Sequence, residues 1–348
     1  MRTVFAQAPL RIGFSGGGTD VAPYRTQFGG AVVTCSISKF VYTRIFPISD
    51  PRFELCSLDQ ETQLSFTLSD ARLSQDSLAR VPSAIKLHMA THQWIIETYL
   101  DGKTPCIRVE TFSEAPAGSG LGGSSTLVVS LLTAYSRYFD LELQPEETAS
   151  AAFYIEREIC GFAGGLQDQY ASAFGGLNFL KFGPGSGVEV EPIKVSNGFI
   201  ERLNASLLML STGISRHSAT IITNQQEKMS RGSESVADFD RLKQSAFQMR
   251  DAIESSDMDQ VAEIMFSAWA HKRATSTKVS NSALDRLIDI AIENGALAGK
   301  VSGAGGGGFL LFMTPVSKRK NVIDSLVGQN LTPFPAVLTK QRATAWIE

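Results

Sequence analysis

The chain of 348 residues has no run of about 18 apolar residues uninterrupted by charge, so no membrane-spanning helix is expected. It is poor in cysteine and histidine, with four of each. Cys35, Cys56, Cys106 and Cys160 are too far apart for a metal knuckle or a redox pair, which leaves buried free thiols in a reducing cytoplasm. His88 and His92 are four residues apart but lack a third ligand, and His271 stands alone. A basic excess is missing too: the net charge is −3 and the isoelectric point near 5.9. That argues against a nucleic-acid or membrane-surface partner. The opening MRTVFAQAPLRIGF lacks the apolar core of a signal peptide. No internal repeat and no low-complexity tract interrupts the chain.

What is present is an ordinary globular composition, 43% hydrophobic and 19% charged, over a length that favours two domains. VFAQAPLRIGF and the alternating AVVTCSISKFVYTRIFPI read as strands, as do FELCSL, QLSFTL and CIRVETFS. PSAIKLHMATHQWIIETYLDGK, STLVVSLLTAYSRYFDL and PEETASAAFYIEREICG read as helices, the last opened by Pro145 and acidic in its first turn. LNFLKFGPGSGVEVEPIKV suggests a hairpin, and its GPGSG turn suggests a boundary between domains 1–185 and 186–348. Long helices are expected from about Ser218 to Ser255 and from Asp257 to Ala274. SALDRLIDIAIENGALAGK adds another, and a helix–strand pair closes the chain. Without a regular βαβ beat, the class is α+β.

Glycine is concentrated in four places. PAGSGLGGSST, Pro116 onward, holds G-x-G-x-x-G at Gly118, Gly120 and Gly123. A dinucleotide site would need a strand ending at the first glycine and a second strand ending in an acid about 20 residues on. SEAPA separates CIRVET from Gly118, and no apolar strand leads to Asp140. A Walker loop would need lysine where Ser124 stands. A glycine turn entering an apolar helix still offers unpaired N–H groups and the positive end of a helix dipole to phosphate. Ser124 and Ser125 add hydroxyls for phosphate or Mg²⁺. The other three clusters are APLRIGFSGGGTD (Ala8–Asp20), GGLQDQYASAFGG (Gly164–Gly176) and KVSGAGGGGF (Lys300–Phe309). Glycine is costly in chain entropy, so four clusters point to a backbone-lined cleft.

In order and spacing, these segments resemble the three motifs of the GHMP kinases along nearly the whole chain. PAGSGLGGSST resembles P-x-x-x-G-L-G-S-S-A, with Gly123 and Ser124 at the serine pair and Ser125 at the alanine. R-I-x-F-x-G-G-G-T-D, F-G-G-A-V and G-G-x-Q-D-Q-Y-A-x-A-F-G-G are most similar to the D-glycero-D-manno-heptose 7-phosphate kinase group. The resemblance implies a ribosomal S5 domain 2-like N-terminal domain with a left-handed βαβ unit, and a ferredoxin-like C-terminal domain. It also implies ATP, Mg²⁺ and a small sugar phosphate as ligands and transfer to the anomeric hydroxyl; the sequence leaves open whether the protein is a homodimer. A fucose-type anomeric kinase and a catalytically silent sugar-phosphate sensor are the alternatives.

The resemblance further implies roles. Asp168 would be the base or would orient the hydroxyl, and Arg11 would hold it ionised and steady the moving charge. Pro116, Gly118, Gly120, Leu121, Gly122, Gly123, Ser124 and Ser125 would wrap the triphosphate. Glu156 and Ser124 would hold the metal, with Glu158 as rival on another helix face. Gly18, Thr19, Asp20, Arg216, Gly303, Ala304 and Gly305 would meet the substrate, with a turn cap the lesser reading of Asp20 and an exposed side chain the competing reading of Arg216. One departure stands out: Leu166 occupies a place where lysine is common in the family.

Overall fold

The computed structural model describes residues 2–71, 74–184, 187–214, 218–229 and 233–348. Its first sheet has eight strands. Six lie in the order β12(Thr344–Ile347), β1(Val4–Ser15), β2(Gly30–Pro47), β5(Ile107–Ser113), β3(Arg52–Ser57), β4(Thr62–Thr67). β2 is 18 residues long, and this length lets it serve two neighbours: Val41–Pro47 pairs with β5, and Gly30–Cys35 with β6(Leu177–Phe182). β7(Val188–Pro192) extends that branch. All pairs in the sheet are antiparallel except β3–β5, which the helix Ser83–Tyr99 connects. The second sheet is antiparallel, in the order β11(Thr332–Pro333), β8(Leu207–Ser211), β10(Phe309–Met313), β9(Ala298–Val301).

One core lies between the first sheet and the helices Ser83–Tyr99, Gly123–Tyr138, Pro145–Tyr154 and Gln167–Phe174. Another, under the second sheet, includes Leu210, Leu284, Ile288, Phe312, Val322 and Leu326. A third joins the two halves. Leu10, Ile12 and Phe14 of β1 pack in one cluster with Met209, Met249, Met265, Phe309 and Leu311. This shared apolar core holds the cleft walls as a single body.

The expected division at 185/186 falls within the β6–β7 hairpin. β7 and β12, both beyond it, hydrogen-bond into the first sheet, so a cut there would strip two strands from their partners. The helix expected over PEETASAAFYIEREICG also differs. It is α-helical over Pro145–Tyr154 and then widens into a π-turn over Ile155–Ile159. The Cys160 amide reaches back five residues to the Ile155 carbonyl. Glu156 is fully buried there, whereas Glu158 is exposed.

Candidate active site

A cavity of about 370 Å³ opens between the glycine turns. Arg11, buried in the middle of β1, directs Nε and Nη2 to Asp168 Oδ1 at 2.7 and 2.5 Å. Its Nη1 donates to the Gly120 carbonyl at 2.7 Å, and its own amide to the Leu121 carbonyl at 3.1 Å. One arginine thus fixes the acid and the second glycine turn together. Asp168 stands in the first turn of helix Gln167–Phe174, which begins where the glycine-rich approach ends. Gly122, with φ +82°, closes the turn. A Cβ there would lie 3.4 Å from both Arg11 Cγ and Asp168 Cγ, so a bare backbone can rest against the pair. The next residue opens helix Gly123–Tyr138, whose first amides face the cavity rim.

The third glycine turn braces the second. Ser302 Oγ donates to the same Gly120 carbonyl at 3.1 Å. A Cβ on Gly308 would stand 2.3 Å from the Ser119 carbonyl oxygen. The first turn is braced from the opposite side: Lys300 of β9 donates to the Gly13 and Phe14 carbonyls at 2.9 and 3.1 Å, and Lys272 to the Gly17 carbonyl at 2.5 Å.

Most of the expected residues come together. Arg11, Gly18, Asp20, Pro116, Gly118, Gly120, Gly122, Gly123, Ser124, Ser125, Asp168, Gly303 and Ala304 all line the cavity. Asp20 is almost fully buried and accepts from the Gly18 amide (3.0 Å), the Gln167 amide (3.1 Å) and Gln167 Nε2 (3.2 Å). It therefore caps helix Gln167–Phe174 and ties it to the first turn. A Cβ on Gly165 would sit 1.9 Å from Asp20 Oδ2, which explains a glycine there.

Four expected residues are placed differently from the rest. Thr19 is wholly buried, with Oγ1 donating towards the Gly16 carbonyl and accepting from the Ala31 amide, so its hydroxyl is engaged within the turn. The Leu121 side chain is in the apolar core, and only its backbone serves the turn. Gly305 packs against the Val279 carbonyl, 2.4 Å from where its Cβ would be, and is off the cavity wall. The hydroxyl on Glu156 is that of Ser125, donating at 2.6 Å, while Ser124 is exposed at the rim. Arg216 lies outside the described residues.

Glu156 Oε2 also accepts from Gln169 at 2.5 Å, while Oε1 is buried without a hydrogen-bond partner. A buried carboxylate oxygen without a partner is costly. Together with two serine hydroxyls it makes the all-oxygen donor set that a hard cation such as Mg²⁺ accepts. No cluster of three or more His, Cys, Asp or Glu side chains among the described residues could hold a metal unaided, so phosphate oxygens would have to complete the shell.

Several cavity residues were not foreseen. Gln167 sits inside the Q-D-Q motif and could have been suspected. Arg157 donates to the Phe162 and Gly165 carbonyls, with Gly164 flat beneath its guanidinium. Lys272 and Gln225 come from helices with no motif, where spacing gives no signal. Leu166 is buried in the first core and offers nothing to a phosphate. Burial, with Lys272 and Arg11 adding repulsion, pushes the Lys300 ammonium down to about 7. His88 and His92 sit under the sheet against Thr111 (2.7 Å) and the Tyr135 hydroxyl (2.6 Å), and burial pushes them down to about 4 and about 3.

Two family models match the chain, the GHMP kinase N-terminal domain over residues 85–176 and the GHMP kinase C-terminal domain over residues 249–331. The chain belongs to the GHMP kinases. A Campylobacter jejuni protein named D-glycero-alpha-D-manno-heptose 7-phosphate kinase is 33% identical over 99% of both chains. A crystal structure of a D-glycero-D-manno-heptose 1-phosphate kinase from Bacteroides thetaiotaomicron superposes with a TM-score of 0.82 at 30% identity, covering 99% of this chain and 98% of that one. The L-fucokinase/L-fucose-1-P guanylyltransferase of Bacteroides fragilis is 26% identical over 88% of this chain, which spans 34% of that longer protein. The protein is therefore an ATP-dependent sugar kinase with the two-domain fold of its family. Among the described residues no helix is long and apolar enough to cross a membrane.

Proposed function

We propose that the protein phosphorylates the anomeric C1 hydroxyl of D-glycero-D-manno-heptose 7-phosphate, giving the 1,7-bisphosphate used to make nucleotide-activated heptose. The Arg11–Asp168 pair, locked to the phosphate-facing turn through Gly120, carries the reading. Phosphoryl transfer needs alignment and charge neutralisation more than covalent chemistry. Both bonds from Arg11 fall on Asp168 Oδ1, leaving Oδ2 to take the hydroxyl proton. Arg11 orients that carboxylate and offsets charge on the transferring group. The amides of Gly122, Gly123 and Ser124, at the helix start, would hold the triphosphate without a Walker lysine. Glu156, Ser125 and Ser124 would hold Mg²⁺, which when bound neutralises charge on the β- and γ-phosphates. With Leu166 buried, Lys272 and Arg157, which line the cavity, would meet the distal phosphate.

The likeness to heptose phosphate kinases supports this sugar over fucose, for which the likeness is weaker. The test is turnover with MgATP on a panel of heptose 7-phosphate, heptose, L-fucose and galactose, with the product identified by ³¹P NMR. Heptose 7-phosphate should give the highest kcat/KM and a new anomeric phosphate. Faster turnover of an unphosphorylated sugar would overturn the assignment. Asp168→Asn should lower kcat about a thousandfold while leaving nucleotide affinity nearly intact. ATP binding with no turnover on any sugar would point to the sensor.

A further inference from the structure

Behind Arg11, between β1 and the helix Met258–Ala274, lies a second cavity of about 20 Å³. Arg11, Lys272 and Lys300 line it, together with Gln167 and Trp269. Three side-chain cations thus surround a space that holds one water-sized ligand and is too small for a phosphate group. No carboxylate is among the described residues lining it. The Trp269 indole N–H, on a side chain 5% exposed, has no hydrogen-bond partner. Lys300 spends two of its three N–H groups on the Gly13 and Phe14 carbonyls, which leaves one.

We propose that this cavity is a binding site for a small inorganic anion of chloride size, held by Lys300, Lys272 and the Trp269 indole behind the catalytic arginine. The unpartnered indole donor marks the place, and the convergent cations supply the attraction. Such an anion would relieve repulsion among the three cations and keep Lys300 protonated on the Gly13 and Phe14 carbonyls. The first glycine turn and Arg11 would then be better fixed. Among the described residues, the charged groups facing Lys300 are Arg11 from β1, whose own partner is Asp168 of helix Gln167–Phe174, and Lys272 from helix Met258–Ala274. Their repulsion favours the neutral amine, so halide binding should be accompanied by proton uptake and should tighten as pH falls from 8 to 6.

The experiment needs no sugar, so it stands apart from the choice of substrate. Crystals of the full chain grown in bromide should show an anomalous peak between Lys300 Nζ and Trp269 Nε1. In solution, chloride at constant ionic strength should raise the melting temperature relative to gluconate, which is too large to enter. Trp269→Phe should weaken the apparent halide affinity about tenfold, as expected for one buried hydrogen bond to an anion. Lys300→Met should abolish the pH dependence of binding. Water in place of bromide, or equal melting temperatures in chloride and gluconate, would overturn the proposal. So would unchanged halide affinity in Trp269→Phe, a variant that keeps the ring and should fold even if Lys300→Met does not.

Discussion

The glycine turns at 116–123 and 302–308 look alike in sequence and do different work. In the first, Gly118, Gly120 and Gly122 all have positive φ and all face the cavity. In the second, Gly303 and Ala304 are on the cavity wall, while Gly305 and Gly308 lie against the backbone of Val279 and Ser119. Glycine serves the first turn by presenting backbone to a ligand and the second by letting backbone approach backbone. The second turn is the buttress of the first, which is why Ser302 and Arg11 share the Gly120 carbonyl.

The comparison is broken most directly at Gly308. Gly308→Ala puts a methyl group 2.3 Å from the Ser119 carbonyl at φ +84°. Neither backbone can give without moving the first turn. A loss of about 4 kcal/mol is expected, read as a melting temperature lowered by roughly 10 °C, together with weaker ATP binding. A variant as stable as the parent would mean that the turns are not mutually braced.

Acid separates the site from the scaffold. His88 and His92 are held neutral in the fold, whereas the unfolded chain takes up their protons below about 6.5. The unfolded state therefore binds more protons, and stability present above pH 6.5 is lost as pH falls towards about 4. The loss from His88 alone is on the order of 3 kcal/mol. Denaturant titrations across this range should show it, and His88→Asn should reduce the slope by one proton. An equal slope in that variant would remove His88 from the account.

Gly122→Ala tests the ligand-facing turn. Its methyl group would meet Arg11 and Asp168 at 3.4 Å, a distance that side chains can accommodate, but at φ +82°. A stability loss of about 1–2 kcal/mol is expected from the left-handed backbone. The Arg11–Asp168 pair is displaced as well, so if it has the proposed role kcat should fall between about tenfold and a hundredfold. Stability lost without loss of kcat would place Gly122 with the buttress. The smallest effect belongs to Gly123→Ala. Nothing lies within 4 Å of its added Cβ, and the residue is already helical. Unfolding free energy should stay the same or rise by up to about 1 kcal/mol. A clear loss there would erase the distinction between open and braced glycines.

The strands and helices of the first half were legible from period-two runs such as AVVTCSISKFVYTRIFPI and from Pro82, Pro145 and Gly102, because these signals are local. The Arg11–Asp168 pair was legible through motif resemblance. Spacing alone could not have found it, since 157 positions separate the two. The π-turn at Ile155–Ile159 was not legible: it answers to the packing of Glu156 against Ser125 and Gln169, and its residues are ordinary helix formers. Lys272 was missed for the same kind of reason, being one lysine on a long polar-and-apolar helix.

By itself, then, the sequence determined where backbone would be bare and which acid and arginine were candidates for the site, because glycine freedom and charge are properties of single residues. Only the tertiary structure decided which glycines face a ligand, which hydroxyl meets Glu156, and that Asp20 caps a helix. Those outcomes depend on distances between segments up to hundreds of residues apart. The packing of two halves around one shared core sets them, and no local pattern encodes them.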